Sequence, residues 1–135
     1  MDRRTFLITA SAALALPIAS LAAPLEYTPG LVQEHLAKGD VVFLDFKAQW
    51  CGTCRTQERV IKDLKANNPA YESNITFINI DWDTYGEADI TSRMGIPRRS
   101  TLVALKGDEE LGRLVAATGK SAIQGLMDAA LSAAQ

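Results

Sequence analysis

Cys51 and Cys54 are the only cysteines in the chain, and only Gly52 and Thr53 separate them. They follow an apolar run, Val41-Val42-Phe43-Leu44-Asp45-Phe46, and precede a segment with helical spacing. Two sulfurs at a strand-to-helix junction have two chemical uses: reversible dithiol–disulfide conversion, or half of a metal site. A structural zinc site needs two further ligands, and His35 is the one histidine in the chain. The redox use is therefore the stronger reading, and no metal is expected. Asp45 is the third group of interest. A carboxylate inside so apolar a strand is costly to bury as an anion, so desolvation should raise its pKa. The alternative, an Asp45 that faces solvent, is opposed by the apolar residues on both sides of it.

The elements that must position these groups follow in order. Thr28-Pro29 predicts a helix start with Thr28 as N-cap, carrying Leu31, Val32, His35 and Leu36 and ending at Gly39. Residues 41–46 read as a central strand covered on both faces. A helix runs from Cys51 through Val60, Ile61 and Leu64 and stops at Asn67-Asn68-Pro69. Residues 75–80 read as a second buried strand, and 83–93 as a loop with a short helix. Residues 101–105 and 111–116 read as a hairpin around a tight turn at Lys106-Gly107-Asp108. Ser121 and Gln124 form the pattern of a capping box for a last helix, with Ile123, Leu126, Met127 and Leu131 inside. This succession predicts an α/β fold: a central mixed β-sheet flanked by helices on both faces.

Composition limits the function classes. At 135 residues and 47% hydrophobic, the chain holds one domain with one real core. Two cysteines are too few for a disulfide-stapled scaffold. A net charge of −2 offers no basic surplus for nucleic acid. At the N-terminus Arg3-Arg4 precede a modest apolar stretch broken by Pro17, and Ser20-Leu21-Ala22 supplies small residues for cleavage after Ala22. Residues 1–22 are thus expected to be a secretory signal peptide and 23–135 the exported domain, in an oxidising compartment such as the periplasm. Arg3-Arg4-Thr5-Phe6-Leu7 also resembles a twin-arginine export signal, although Asp2 departs from it. An ordinary secretory leader remains the alternative.

Leu44-Asp45-Phe46-Lys47-Ala48-Gln49-Trp50-Cys51-Gly52-Thr53-Cys54 resembles the active-site signature of the thioredoxin superfamily, an Asp-Phe-x-Ala-x-Trp joined to a Cys-x-x-Cys. The resemblance extends over about residues 26–132 and implies a thioredoxin-like fold. It implies a thiol–disulfide oxidoreductase that needs no cofactor beyond a redox-active Cys51–Cys54 disulfide. Cys51, at a helix N-terminus that favours the thiolate, would be the nucleophile. Cys54 would resolve the mixed disulfide. Asp45 matches the family's buried acid and would accept the Cys54 proton. Trp50 would cover the dithiol and dock substrate, and Gly119 matches a glycine that lines the substrate groove.

Three positions depart from the family pattern. Lys47 stands where an aromatic is usual, and Arg59 where a helix-kinking proline is usual. The third is the loop facing the dithiol, where the family holds a cis-proline followed by Thr. Ile96-Pro97 would fill that place only with three extra residues before the strand. A gap-free register instead puts Ser100-Thr101 there and keeps the strand and hairpin in phase, so it is the one favoured. Ser100 and Thr101 would then face substrate, with Arg99 beside Cys51 favouring the thiolate and acidic partners.

Thr53 brings no charge to the dithiol, and Asp45 resembles the reductant-type members. The expected protein is a monomeric reductase of protein disulfides, recharged by a membrane electron-transfer partner. The alternatives are a disulfide oxidant or isomerase, or a non-enzymatic metal-binding or chaperone module using the same sulfurs.

Overall fold

The computed structural model describes residues 22–135, so the expected leader, Ala22 apart, lies outside the described residues. The strands are β1 (Leu25–Glu26), β2 (Val41–Lys47), β3 (Ile75–Asp81), β4 (Thr101–Lys106) and β5 (Glu109–Val115). The helices are α1 (Leu31–Ala37), α2 (Gly52–Asn67), α3 (Ala70–Asn74), α4 (Trp82–Tyr85), α5 (Asp89–Arg93) and α6 (Lys120–Ala133). One sheet runs in the order β1-β3-β2-β4-β5. β1, β3 and β2 are mutually parallel, whereas β4 is antiparallel to both β2 and β5. This is the expected mixed sheet.

β2 is the middle strand, and residues 41–46 are all buried. Its alternation divides the core into two layers. Val41 and Phe43 face a cluster with Ile61 and Leu64 of α2, Tyr71 of α3 and Ile123, Met127 and Ala130 of α6. Val42, Leu44 and Phe46 face Val32 of α1, Ile90 of α5 and Tyr27. Asp45 therefore shares the face of Val41 and Phe43, the side that α2 covers. Two close approaches join the layers to the sheet. Lys65 of α2 is buried with its ammonium 3.6 Å from the Phe77 ring centroid and 3.0 Å from a Glu72 carboxylate oxygen. At Gly112 of β5 an added Cβ would stand 2.8 Å from Leu126 of α6, so the absent side chain lets that helix lie close.

The helix starts differ from expectation. Thr28 does not cap α1. Its carbonyl accepts from the Leu31 N–H at 3.0 Å, and Gly30, at φ +90°, is the N-cap. The turn that Pro29 and Gly30 make moves the helix start past the threonine. Likewise α6 begins at Lys120 with Gly119 as N-cap and no side-chain cap, so Ser121 lies inside the helix and the expected box does not form. The short β1 and α3 were not expected. α3 follows directly after the Asn68-Pro69 stop, where the Asn68 side-chain oxygen accepts from the Ala70 N–H at 3.1 Å.

Candidate active site

The C-terminal ends of β2 and β3 lie side by side, with Lys47 opposite Asp81. Residues that leave these two ends therefore meet. From β2 the chain turns through Ala48-Gln49-Trp50 and enters α2 with Cys51 as N-cap, in extended backbone. Cys51 and Cys54 are joined by a disulfide, with their Cα atoms 5.2 Å apart. Both are buried. The Cys54 N–H donates to Cys51 Sγ at 3.1 Å, so the sulfur takes the place that a Ser or Asp oxygen takes in an ordinary cap. An N–H that points at sulfur from a helix start favours the thiolate once the bond is reduced.

From β3 the chain enters α4 at once, and Trp82 packs on the cluster of Ala48, Cys51 and Cys54. Its neighbour Asp83 accepts the Trp50 indole N–H at 3.0 and 3.1 Å through its two oxygens. Trp50 is 56% exposed. The Arg99 guanidinium lies over its ring, 4.3 Å from the centroid, while Arg99 Nε is buried without a partner. Beside Cys51 in the chain, an exposed indole thus bears a cation on one face and a carboxylate at its edge.

Ser100 stands opposite the dithiol. Phe46 pairs with Thr101, and the Ser100 N–H donates to the Phe46 carbonyl at 2.7 Å. Ser100 Oγ is 3.1 Å from both Cys51 Sγ and Cys54 Sγ. The described residues contain no cis peptide bond. Ile96 instead packs in the core layer of α1 and α5. Ser100 has φ +64°, a left-handed conformation that strains a residue with a Cβ. Its carbonyl accepts from the Ala116 N–H at 2.8 Å and from Gln57 Nε2 at 3.0 Å, and these bonds hold the conformation. Gln57 Nε2 also donates to the Ala117 carbonyl at 2.9 Å. Thr101 is buried, and its hydroxyl donates to the Arg98 carbonyl at 2.7 Å, so it is used within the loop. Gly119 is exposed at the start of α6, with open space where a Cβ would stand.

Asp45 is 6% exposed and its Oδ1 has no partner. Burial pushes its pKa up to about 7. Lys47 opposes the rise, and the charges of Glu58 and Glu26 add to it. Lys47 is itself occupied by Glu58 at 3.0 Å. A groove of about 960 Å³ between α2 and the β3 edge is lined by Asp45, Lys47, Glu58, Ile61 and Phe77 among others. At Arg59, α2 continues unbroken. No group of three or more His, Cys, Asp or Glu side chains among the described residues is placed to hold a metal.

Three contributors carry little sequence signal. Trp82 and Asp83 could be found only by noticing that the ends of two parallel neighbours converge. Gln57 had a local clue: it falls on the stripe Cys54, Gln57, Ile61, Leu64, a polar residue on the inner face of α2.

A dithiol at a helix N-terminus, closed as a disulfide at the C-terminal edge of a mixed sheet, with a buried carboxyl on the strand that leads to it, defines a thiol–disulfide oxidoreductase site. The thioredoxin family model matches residues 25–129. Among curated proteins, the chain is 34% identical to thioredoxin H2-1 of rice over 83 residues, 62% of this chain and 56% of that protein. It thus spans little more than half of the rice protein's length. It is 30% identical to a thioredoxin of Porphyra purpurea over 108 residues, 79% of this chain and 96% of that protein. Among solved structures, Trxlp from Edwardsiella tarda superposes with a TM-score of 0.65 at 28% identity, covering 76% of this chain and 97% of that one. The chain belongs to the thioredoxin family.

Proposed function

We propose that this protein reduces disulfides of other proteins in the periplasm, after export and removal of residues 1–22. The disulfide at the N-terminus of α2, with the Cys54 amide donating to Cys51 Sγ, carries the reading. In the reduced protein the Cys51 thiolate attacks one sulfur of a substrate disulfide. The substrate S–S bond breaks, a Cys51–substrate disulfide forms, and the departing substrate thiolate takes a proton. Cys54 then loses its proton, with Asp45 as the acceptor, and its sulfur attacks Cys51 Sγ. The second substrate thiolate leaves and is protonated. The net change is one protein dithiol oxidised and one substrate disulfide reduced, and no cofactor takes part. The exposed Trp50, with the half-buried Arg99 over its ring, provides the docking surface, together with the exposed Gly119; Ser100 and Thr101 are buried.

The reductive direction is supported by Asp45. A buried carboxyl that ionises near neutrality opposes a second negative charge on the adjacent helix, which disfavours the thiolate form and favours the disulfide. Gly52 and Thr53 add no compensating charge. A membrane electron-transfer partner would restore the dithiol, and the domain would act as a monomer. Equilibration of the protein against a glutathione redox buffer tests the direction. A potential below about −230 mV supports the reductase, and one near that of the strong oxidants, about −120 mV, overturns it. N-terminal sequencing of the exported protein tests the leader. Ala23 as the first residue supports the proposal, and an intact Met1 overturns it.

A further inference from the structure

We propose that Ser100 is a third catalytic side chain of the dithiol: its hydroxyl donates a hydrogen bond to the Cys51 thiolate and accepts one from the Cys54 thiol. The inference rests on the thiol–disulfide reading above and assigns a further residue to it.

Ser100 is fully buried, and its Oγ lies 3.1 Å from each sulfur. Among the described residues those sulfurs are the hydroxyl's partners. One hydroxyl has one proton to donate and lone pairs to accept with, which matches a reduced site holding one thiolate and one thiol.

Ser100 keeps a left-handed φ of +64°, which costs free energy for any residue but glycine. Three hydrogen bonds hold it there: its N–H to Phe46, and its carbonyl from Ala116 and Gln57. Strain held by surrounding bonds marks a side chain that must point one way, and here it points at the sulfurs. The same bonds turn the Ser100 N–H and C=O inward. The facing loop therefore meets the dithiol with a hydroxyl, and the main-chain groups of Ser100 are not free to pair with an extended substrate.

The two redox states use the hydroxyl differently. The sulfurs of a disulfide are weak acceptors, whereas a thiolate receives a charge-assisted bond. Ser100 therefore stabilises the reduced site more than the oxidised one. It lowers the Cys51 pKa and makes the disulfide easier to reduce than the same site without the hydroxyl. Its effect opposes that of Asp45, and the potential reflects the balance of the two.

The test compares wild type with Ser100→Ala and Ser100→Gly, all as the full domain. Alkylation of reduced Cys51 by iodoacetamide across pH gives its apparent pKa, and glutathione equilibration gives the potential. Both variants should raise the Cys51 pKa by about one unit, which is about tenfold less thiolate below it. Both should shift the glutathione equilibrium about tenfold towards the disulfide, or about 30 mV more negative. The charged groups nearby, Asp45 on β2, Arg55 on α2, Asp83 on α4 and Arg99 before β4, stay in every protein, so the difference isolates the hydroxyl. Glycine accepts a positive φ without strain, whereas alanine keeps the strain that serine bears. A purely conformational role would separate the two variants, and that result overturns the proposal. So does an unchanged Cys51 profile in a variant while wild type still exchanges disulfides. A wild type that exchanges none would instead overturn the proposed function.

Discussion

Asp45→Asn should remove most of the pH dependence that the buried carboxyl imposes on stability. In the fold this group ionises at about 7, against 3.8 for the ordinary side chain. Between these values the native protein holds a proton that the unfolded chain has released. The stabilising contribution is fully present below pH 4 and is lost as pH rises through 7. A shift of about three units corresponds to about 4 kcal/mol. About 3 kcal/mol of that falls between pH 4.5 and 8.5. Burial sets the shift, and the charges that adjust it, Lys47 against and Glu58 and Glu26 with it, all remain in the variant. Glu58 and Asp63, held below the usual carboxylate range by Lys47 with Lys62 and by Lys120 respectively, lose stability in the opposite direction, towards acid. They do so in both proteins and cancel in the difference. The assay is urea denaturation of the oxidised proteins at pH 4.5 and 8.5. Relative to wild type, Asp45→Asn should gain about 3 kcal/mol at the higher pH compared with the lower. A difference that is the same at both pH values would refute the burial argument and, with it, Asp45 as a proton acceptor working near neutrality.

Other substitutions probe the scaffold. Gln57→Leu removes both donors that tie α2 to the Ser100 and Ala117 carbonyls. It should cost about 1–3 kcal/mol in urea denaturation, because the lost bonds outweigh release of the unpartnered Oε1. Lys65→Met keeps the stem that packs in the core but leaves the buried Glu72 Oε2 without its cation, so it should cost about 1–2 kcal/mol. Lys65→Ala loses that packing under α2 and should cost about 2 kcal/mol or more in the same assay.

Most of what positions the dithiol was legible because it is periodic or continuous in sequence. The unbroken apolar run of β2 required cover on both faces, which placed Asp45 in the core. The in-phase strand and hairpin put Ser100, rather than Pro97, opposite the cysteines, and the Phe46–Thr101 pairing has that register. What escaped depends on neighbours distant in sequence. β1 has two residues, too few for any period, and exists because β3 offers an edge. Trp82 and Asp83 join the site through the adjacency of β2 and β3. The inward turn of the Ser100 backbone needs Ala116 and Gln57, which no local pattern ties to it. Local rules also misled at Thr28 and Ser121, where glycines two residues away took the cap.

Trapping the exchange intermediate tests the central assignment most directly. Reduced Cys54→Ser, mixed with a protein disulfide such as insulin, should accumulate a one-to-one mixed disulfide, and peptide mass analysis should place the bond at Cys51. The matching Cys51→Ser variant, with a buried sulfur at Cys54 alone, should form almost none. An adduct that forms equally well through Cys54, or no adduct from either variant, would contradict an exchange site with Cys51 as its nucleophile.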